Sequence, residues 1–125
     1  MGRVRPHGGR PNAFPHRERL KRRSEFLEVY REGNKRVGRG FILFTVRGRS
    51  QGRKFGCAVS RKVGSAVVRN RVKRHMREVY RQHRTQLPED IRMVLVARPE
   101  SARFNYHQSR EAILRLLRKE GVVDG

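Results

Sequence analysis

The stretch RKVGSAVVRNRVKRHMREVYRQHR, residues 61–84, carries nine cations and a single acid. Set on a helix turning about 100° per residue, Val68, Val72, Met76 and Val79 fall within about 80° of one another. They form one apolar stripe. Arg69, Asn70, Lys73, Arg74, Arg77 and Arg81 fall on the opposite side, and Arg71 belongs to neither face. A helix of this kind packs one side on a sheet and presents the other as nearly pure guanidinium and ammonium. Gathering those cations costs repulsion, which bound phosphates would relieve while releasing counterions. Asn70, in the middle of the charged side, offers a donor and an acceptor for a base edge or a ribose hydroxyl. An ordinary charged helix face mixes signs through i,i+4 pairs. Here only Glu78 interrupts the positive charge, so the face is read as a nucleic-acid contact.

The segments on either side supply the sheet. Upstream, residues 41–46 (FILFTV) are apolar on both alternating faces and predict a well-covered strand. Residues 48–52 read as a hairpin loop, and residues 54–60 as a second strand antiparallel to the first, with Phe55, Cys57 and Val59 facing one way. Before them, Ser24 is the expected N-cap of a helix whose apolar arc is Phe26, Leu27, Val29 and Tyr30, ended by Gly33 and Asn34. Downstream, Pro88 breaks the basic helix and residues 91–97 form a further strand. A last helix spans about residues 106–119, with Ile113, Leu116 and Leu117 turned inward. The expected fold is α+β: a single-domain sandwich of one central sheet and three helices. The order is helix, two strands with room for a third, helix, strand, helix. Residues 1–17, rich in Gly, Pro, Arg and His, are expected to be a flexible basic arm. Residues 18–120 make the domain, and residues 121–125 a frayed tail.

Over the whole chain of 125 residues, 32 Lys and Arg stand against 11 Asp and Glu, a net charge of +21. Such self-repulsion opposes compaction and points to a polyanionic partner. Arginine supplies 26 of the cations, and its planar fork suits phosphates and stacks on bases. The longest clean apolar run, residues 93–97, is far too short to span a membrane, and no signal-peptide pattern opens the chain. A single cysteine, Cys57, excludes an internal disulfide and fits the reducing cytoplasm. It reads as a small buried hydrophobe. The five His show no metal-ligand spacing, the acids are scattered, and no Gly-rich phosphate loop is present. Neither a metal centre nor a catalytic acid–base pair is expected in this chain.

The residues 60–64 (SRKVG), followed by 66–74 (AVVRNRVKR) and Arg77-Glu78, closely resemble the signature of the bacterial ribonuclease P protein subunit. Its core is Arg69, Asn70 and Arg71. Surrounding features match in order: Phe14-Pro15, Arg19-Leu20, residues 24–26, Tyr30, Gly33, residues 41–45, and the run VLVARP at 94–99. The resemblance covers about residues 14–119. It implies a left-handed β-α-β crossover through the basic helix, where the general rule alone predicts a right-handed one. It also implies a role: assisting a ribozyme that removes the 5′ leader from precursor tRNA, with the chemistry in the RNA subunit and its bound magnesium. No organic cofactor and no obligate protein partner are expected.

Carried over residue by residue, the resemblance assigns Arg69, Asn70, Arg71, Lys73, Arg74 and Arg77 to the RNA subunit, with Ser60, Arg61 and Lys62 nearby. Phe26, Tyr30 and Phe44 would line a cleft for the leader, stacking on unpaired nucleotides. Phe44 stands where that family commonly has tyrosine, Tyr30 where phenylalanine is frequent, and His75 where an aliphatic is usual. His75 is expected half-buried beside the apolar stripe. Without the resemblance, Phe26, Tyr30 and Phe44 would sooner be read as core. Two other classes share the charge. A structural RNA binder, of ribosomal-protein or chaperone type, has no need of the 60–78 signature. A membrane-active cationic helix needs a free apolar face, which the flanking strands here would cover.

Overall fold

The computed structural model describes residues 14–48 and 52–124. In chain order they form α1 (Arg23–Glu32), β1 (Asn34–Val37), β2 (Phe41–Arg47), β3 (Lys54–Ala58), α2 (Ala66–His83), β4 (Ile91–Ala97) and α3 (Tyr106–Glu120). Short 3₁₀ turns lie at His16–Glu18, Arg84–Gln86 and Pro99–Arg103. The four strands make one sheet in the order β1-β2-β4-β3. β4 runs antiparallel to β2 and parallel to β3. The α+β sandwich is therefore as expected, with the third strand present before the basic helix.

The expected pairing of β2 with β3 is wrong: β4 lies between them. Its residues alternate onto two apolar layers, so the run needs cover on both faces and takes the centre of the sheet. On one face α2 and α3 cover Phe41, Leu43, Phe55, Ile91, Met93 and Leu95. On the other, α1 and Leu20 cover Val46 and Val94, with Phe26, Tyr30, Phe44, Ala58 and Val96 half-buried beside them. Phe55 and Cys57 share the α2 side as read from their spacing.

The ends of α1 differ from expectation. Ser24 sits inside the first turn; Arg22 holds the N-cap position. The Glu25 carboxylate, at the third position of the helix, reaches back to accept from the backbone N–H groups of Lys21 (3.2 Å) and Arg22 (2.9 Å), the acidic half of a capping box. Leu27 is exposed rather than part of the apolar arc. Gly33 ends α1 with φ −83°, so it is not there for a left-handed turn. A Cβ on Gly33 would lie 2.5 Å from the Val29 carbonyl oxygen and 2.9 Å from that of Thr45, both fixed backbone atoms. Gly33→Ala should therefore destabilise the domain by about 1–3 kcal/mol, read as a lower urea midpoint with unchanged slope.

The described residues nearest each terminus are packed onto the domain. Of the proposed arm, residues 1–13 lie outside the described residues, but Phe14 packs edge-on against Tyr80 (5.0 Å between centroids) and Phe55 (5.8 Å). Phe55 and Tyr80 stack face to face at 4.3 Å. The Leu20 N–H donates to the Phe55 carbonyl (3.0 Å), so the incoming segment covers the outer edge of β3. Beneath it, Glu18 is buried and accepts from the Tyr80 hydroxyl (2.6 Å) and from the Arg84 guanidinium through two nitrogens. At the other end, Gly121 adopts φ +77° and closes α3, and Val122 donates back to the Leu117 carbonyl. That turn folds Val122 and Val123 into the core, so residues 121–124 are not a frayed tail. Glu120 accepts from Asn34, Arg36 and Thr45, pinning α3 across β1 and β2.

Candidate nucleic-acid interface

α2 starts where Gly64, at φ +157°, turns the chain after β3 and the Ser65 hydroxyl accepts from the Val68 N–H (3.4 Å). Val72, Met76, Val79 and Tyr80 are buried against the sheet and α3. The opposite side carries Asn70, Arg74 and Arg77 in the open, with Arg69 and Lys73 half-buried at its margins. Among the described residues, none of Arg69, Lys73, Arg74 and Arg77 forms an ion pair with an acid. Arg81 differs, since Glu78 accepts from its Nε at 2.8 Å. The unpaired cations thus occupy the first three turns, and the one acid compensates the last.

Beside them, Val63 is buried and anchors a tight turn in which its N–H donates to the Ser60 carbonyl (3.1 Å). The turn leaves Ser60, Arg61 and Lys62 exposed next to the start of α2, continuing the positive surface. Arg71 is the exception. Its guanidinium turns away and donates to the Ala102 carbonyl, and its Nε is buried without a partner. Arg71 joins α2 to the Pro99–Arg103 turn rather than to the outer face. His75 is half-buried, edge-on to Tyr106, and its Nδ1 lies 3.4 Å from the Ser109 hydroxyl. Burial, and then the charges of Arg71 and Arg74, hold its pKa below the usual value, so it adds no charge at neutral pH. Under Arg77 and Lys73, burial pushes the Cys57 thiol up to about 12 despite both cations, which leaves it protonated and unreactive.

The three aromatic candidates do come together, on the far face of the sheet. The rings of Tyr30 and Phe44 meet edge to face at 4.9 Å, and the Lys35 ammonium lies 5.9 Å from the Phe44 ring. Phe26 lies over Gly56, where a Cβ would come within 2.5 Å of its ring. All three side chains are half-buried, so each keeps surface for a ligand. Beyond α1 the register aligns Val37, Ile42, Val96 and Ala58 in one row across all four strands. This aliphatic floor, with Val37 55% exposed, was not anticipated from sequence. The period-2 parity of Ile42 with Phe44 was a usable signal, but the row itself depends on strand order.

A positive helix face and a half-buried aromatic cluster lie on opposite sides of one small sheet. The family model for ribonuclease P matches residues 14–121. The chain belongs to the ribonuclease P protein family. The ribonuclease P protein component of Dictyoglomus turgidum is 38% identical over 113 residues, covering 88% of this chain and 94% of that one. That of Desulfovibrio desulfuricans is 41% identical over 110 residues, covering 85% of each. In fold, the chain resembles the Staphylococcus aureus RNase P protein with a TM-score of 0.80 at 25% identity, over 86% of this chain and 98% of that one. The Thermotoga maritima RNase P protein gives 0.73 at 28%, over 86% and 99%. As a ribonuclease P protein, the chain is a subunit of an endoribonuclease complex and has an RNA partner. No helix among the described residues is long and apolar enough to cross a membrane.

Proposed function

We propose that the outer face of α2 and the Ser60–Arg61–Lys62 turn bind the catalytic RNA of ribonuclease P. The cleft of Phe26, Tyr30 and Phe44 holds the 5′ leader of precursor tRNA. The observation that carries this reading is the set of four cations on α2 without acidic partners among the described residues. Phosphates are the ligand that such a surface lacks. In this reading the cleavage chemistry belongs to the RNA and its magnesium, and the protein supplies binding surfaces rather than reacting groups. The protein's own contribution is to hold two RNAs in register, one on each face of the sheet. It does so in the cytoplasm, where precursor tRNA is made.

The test is reconstitution with a bacterial ribonuclease P RNA and labelled precursor tRNA at low magnesium. The protein should accelerate leader release strongly. Tight RNA binding without acceleration would leave only a structural RNA binder. The cleft has its own test in Phe44→Ala. Losing one stacking surface, worth about 1–3 kcal/mol, should weaken precursor tRNA binding by about tenfold or more while leaving mature tRNA binding unchanged. Equal losses for both substrates would overturn the cleft assignment.

A further inference from the structure

A third basic surface lies away from both sites. Between the turn at 38–40 and the outer side of α3 runs a groove of about 370 Å³. Its floor is Phe104 and Leu116, and its near wall is bare backbone. A Cβ on Gly38 would lie 2.8 Å from Leu116, and one on Gly40 2.4 Å from the Phe104 ring. The Arg39 guanidinium lies over Phe104, 5.3 Å from the ring centre. Along the rim stand Arg115 and Lys119, one helical turn apart on α3, and Arg103 lines the continuation of the same groove. The two acids nearby are already engaged: Glu111 with Arg110 at 2.8 Å, and Glu100 with Arg98 at 3.6 Å. Arg39, Arg103, Arg115 and Lys119 form no ion pair among the described residues.

We infer that this groove is a further contact for single-stranded RNA, seating a base against Arg39 and Phe104 and its phosphates between Arg115 and Lys119. Like charges at i,i+4 repel, and a phosphate between them removes that cost. The exposed Arg39 guanidinium, lying over the Phe104 ring, offers its outward side to an unpaired base, which stacks on such a planar cation. An acidic peptide would satisfy the rim charges, but its carboxylates have no extended aromatic face to stack on Arg39 as a base does. The inference stands on the groove's own chemistry and does not need the α1 cleft to bind leader.

The experiment uses the full chain and hexauridylate carrying 4-thiouridine, cross-linked with long-wave ultraviolet light and mapped by peptide mass spectrometry. Cross-links are expected in residues 36–40 and 103–119, separate from any set in α1, β2 and β3. In Arg39→Ala/Arg115→Ala, two exposed positions, the groove set should fall about tenfold while the α1-side set persists. The α1-side set reports on the leader cleft and the α3-side set on this groove, so either can fail alone. Absence of the α3-side set would overturn the inference, as would its survival in the double variant. Equal displacement by hexaglutamate and by unlabelled hexauridylate would also overturn it, assigning the groove to acidic peptides.

Discussion

Glu18→Ala should cost about 3–5 kcal/mol, most of a small domain's stability, because it strands the Arg84 guanidinium and the Tyr80 hydroxyl in a closed site. Among the described residues the Glu18 carboxylate is the acid that both groups address, and it ties the segment entering the domain to the end of α2. Burial alone would raise its pKa, but hydrogen bonds from Arg84 and Tyr80, with the Arg84 charge, bring it below the ordinary carboxylate value of 4.5. A carboxyl whose pKa is depressed on folding contributes stability that is complete above its unfolded value. That stability is lost as pH falls through the folded one. Glu120 follows the same sign: burial opposes ionisation, and Arg36, Thr45 and Asn34 more than offset it. The urea midpoint of the wild type should therefore fall below about pH 5, and Glu18→Ala should show a shallower decline. An equal acid dependence in both proteins would remove Glu18 from the account.

Arg69→Ala/Arg74→Ala should lower affinity for the catalytic RNA by about tenfold or more and reduce the salt slope of binding by about two, one per lost phosphate contact. Filter binding across a range of potassium chloride concentrations measures both. Arg71→Ala is the informative comparison, since that guanidinium is bonded to the Ala102 carbonyl instead of lying on the outer face. Its loss should lower stability more than it changes the salt slope. A slope change in Arg71→Ala equal to that of a single outer-face arginine would show that Arg71 swings out to meet RNA.

The sequence made α2 legible because two independent patterns coincide there: Val72, Met76 and Val79 at helical spacing, and cations filling the opposite arc. The gathering of Phe26, Tyr30 and Phe44 on one face of the sheet was suggested only by family resemblance, since by composition such residues read as core. Strand order was not legible. Residues 41–46 and 54–60 are each apolar enough to sit beside any strand, and a Gly-bounded loop between them favours the local pairing over the distant one. β1 escaped because Asn34–Val37 is exposed at every position, so it has no apolar alternation; it is strand by pairing with β2 and by the grip of Glu120 on Asn34 and Arg36. Arg71 shows the limit of motif reading. It adjoins Asn70 in sequence, yet one residue of helical rotation, about 100°, carries its side chain to a different neighbour.

The central position of β4 also governs the order in which this protein can be assembled. Apart from the Leu20 contact on their outer side, residues 54–58 of β3 pair with residues 92–96, so during synthesis an edge strand waits for the central one. Until β4 leaves the ribosome, α2 is complete as a stretch of chain but has no finished surface beneath Val72, Met76 and Val79. The long closure makes this step slow relative to helix formation. A nascent chain therefore presents its most positive segment to the cell's RNA before that segment has a fold.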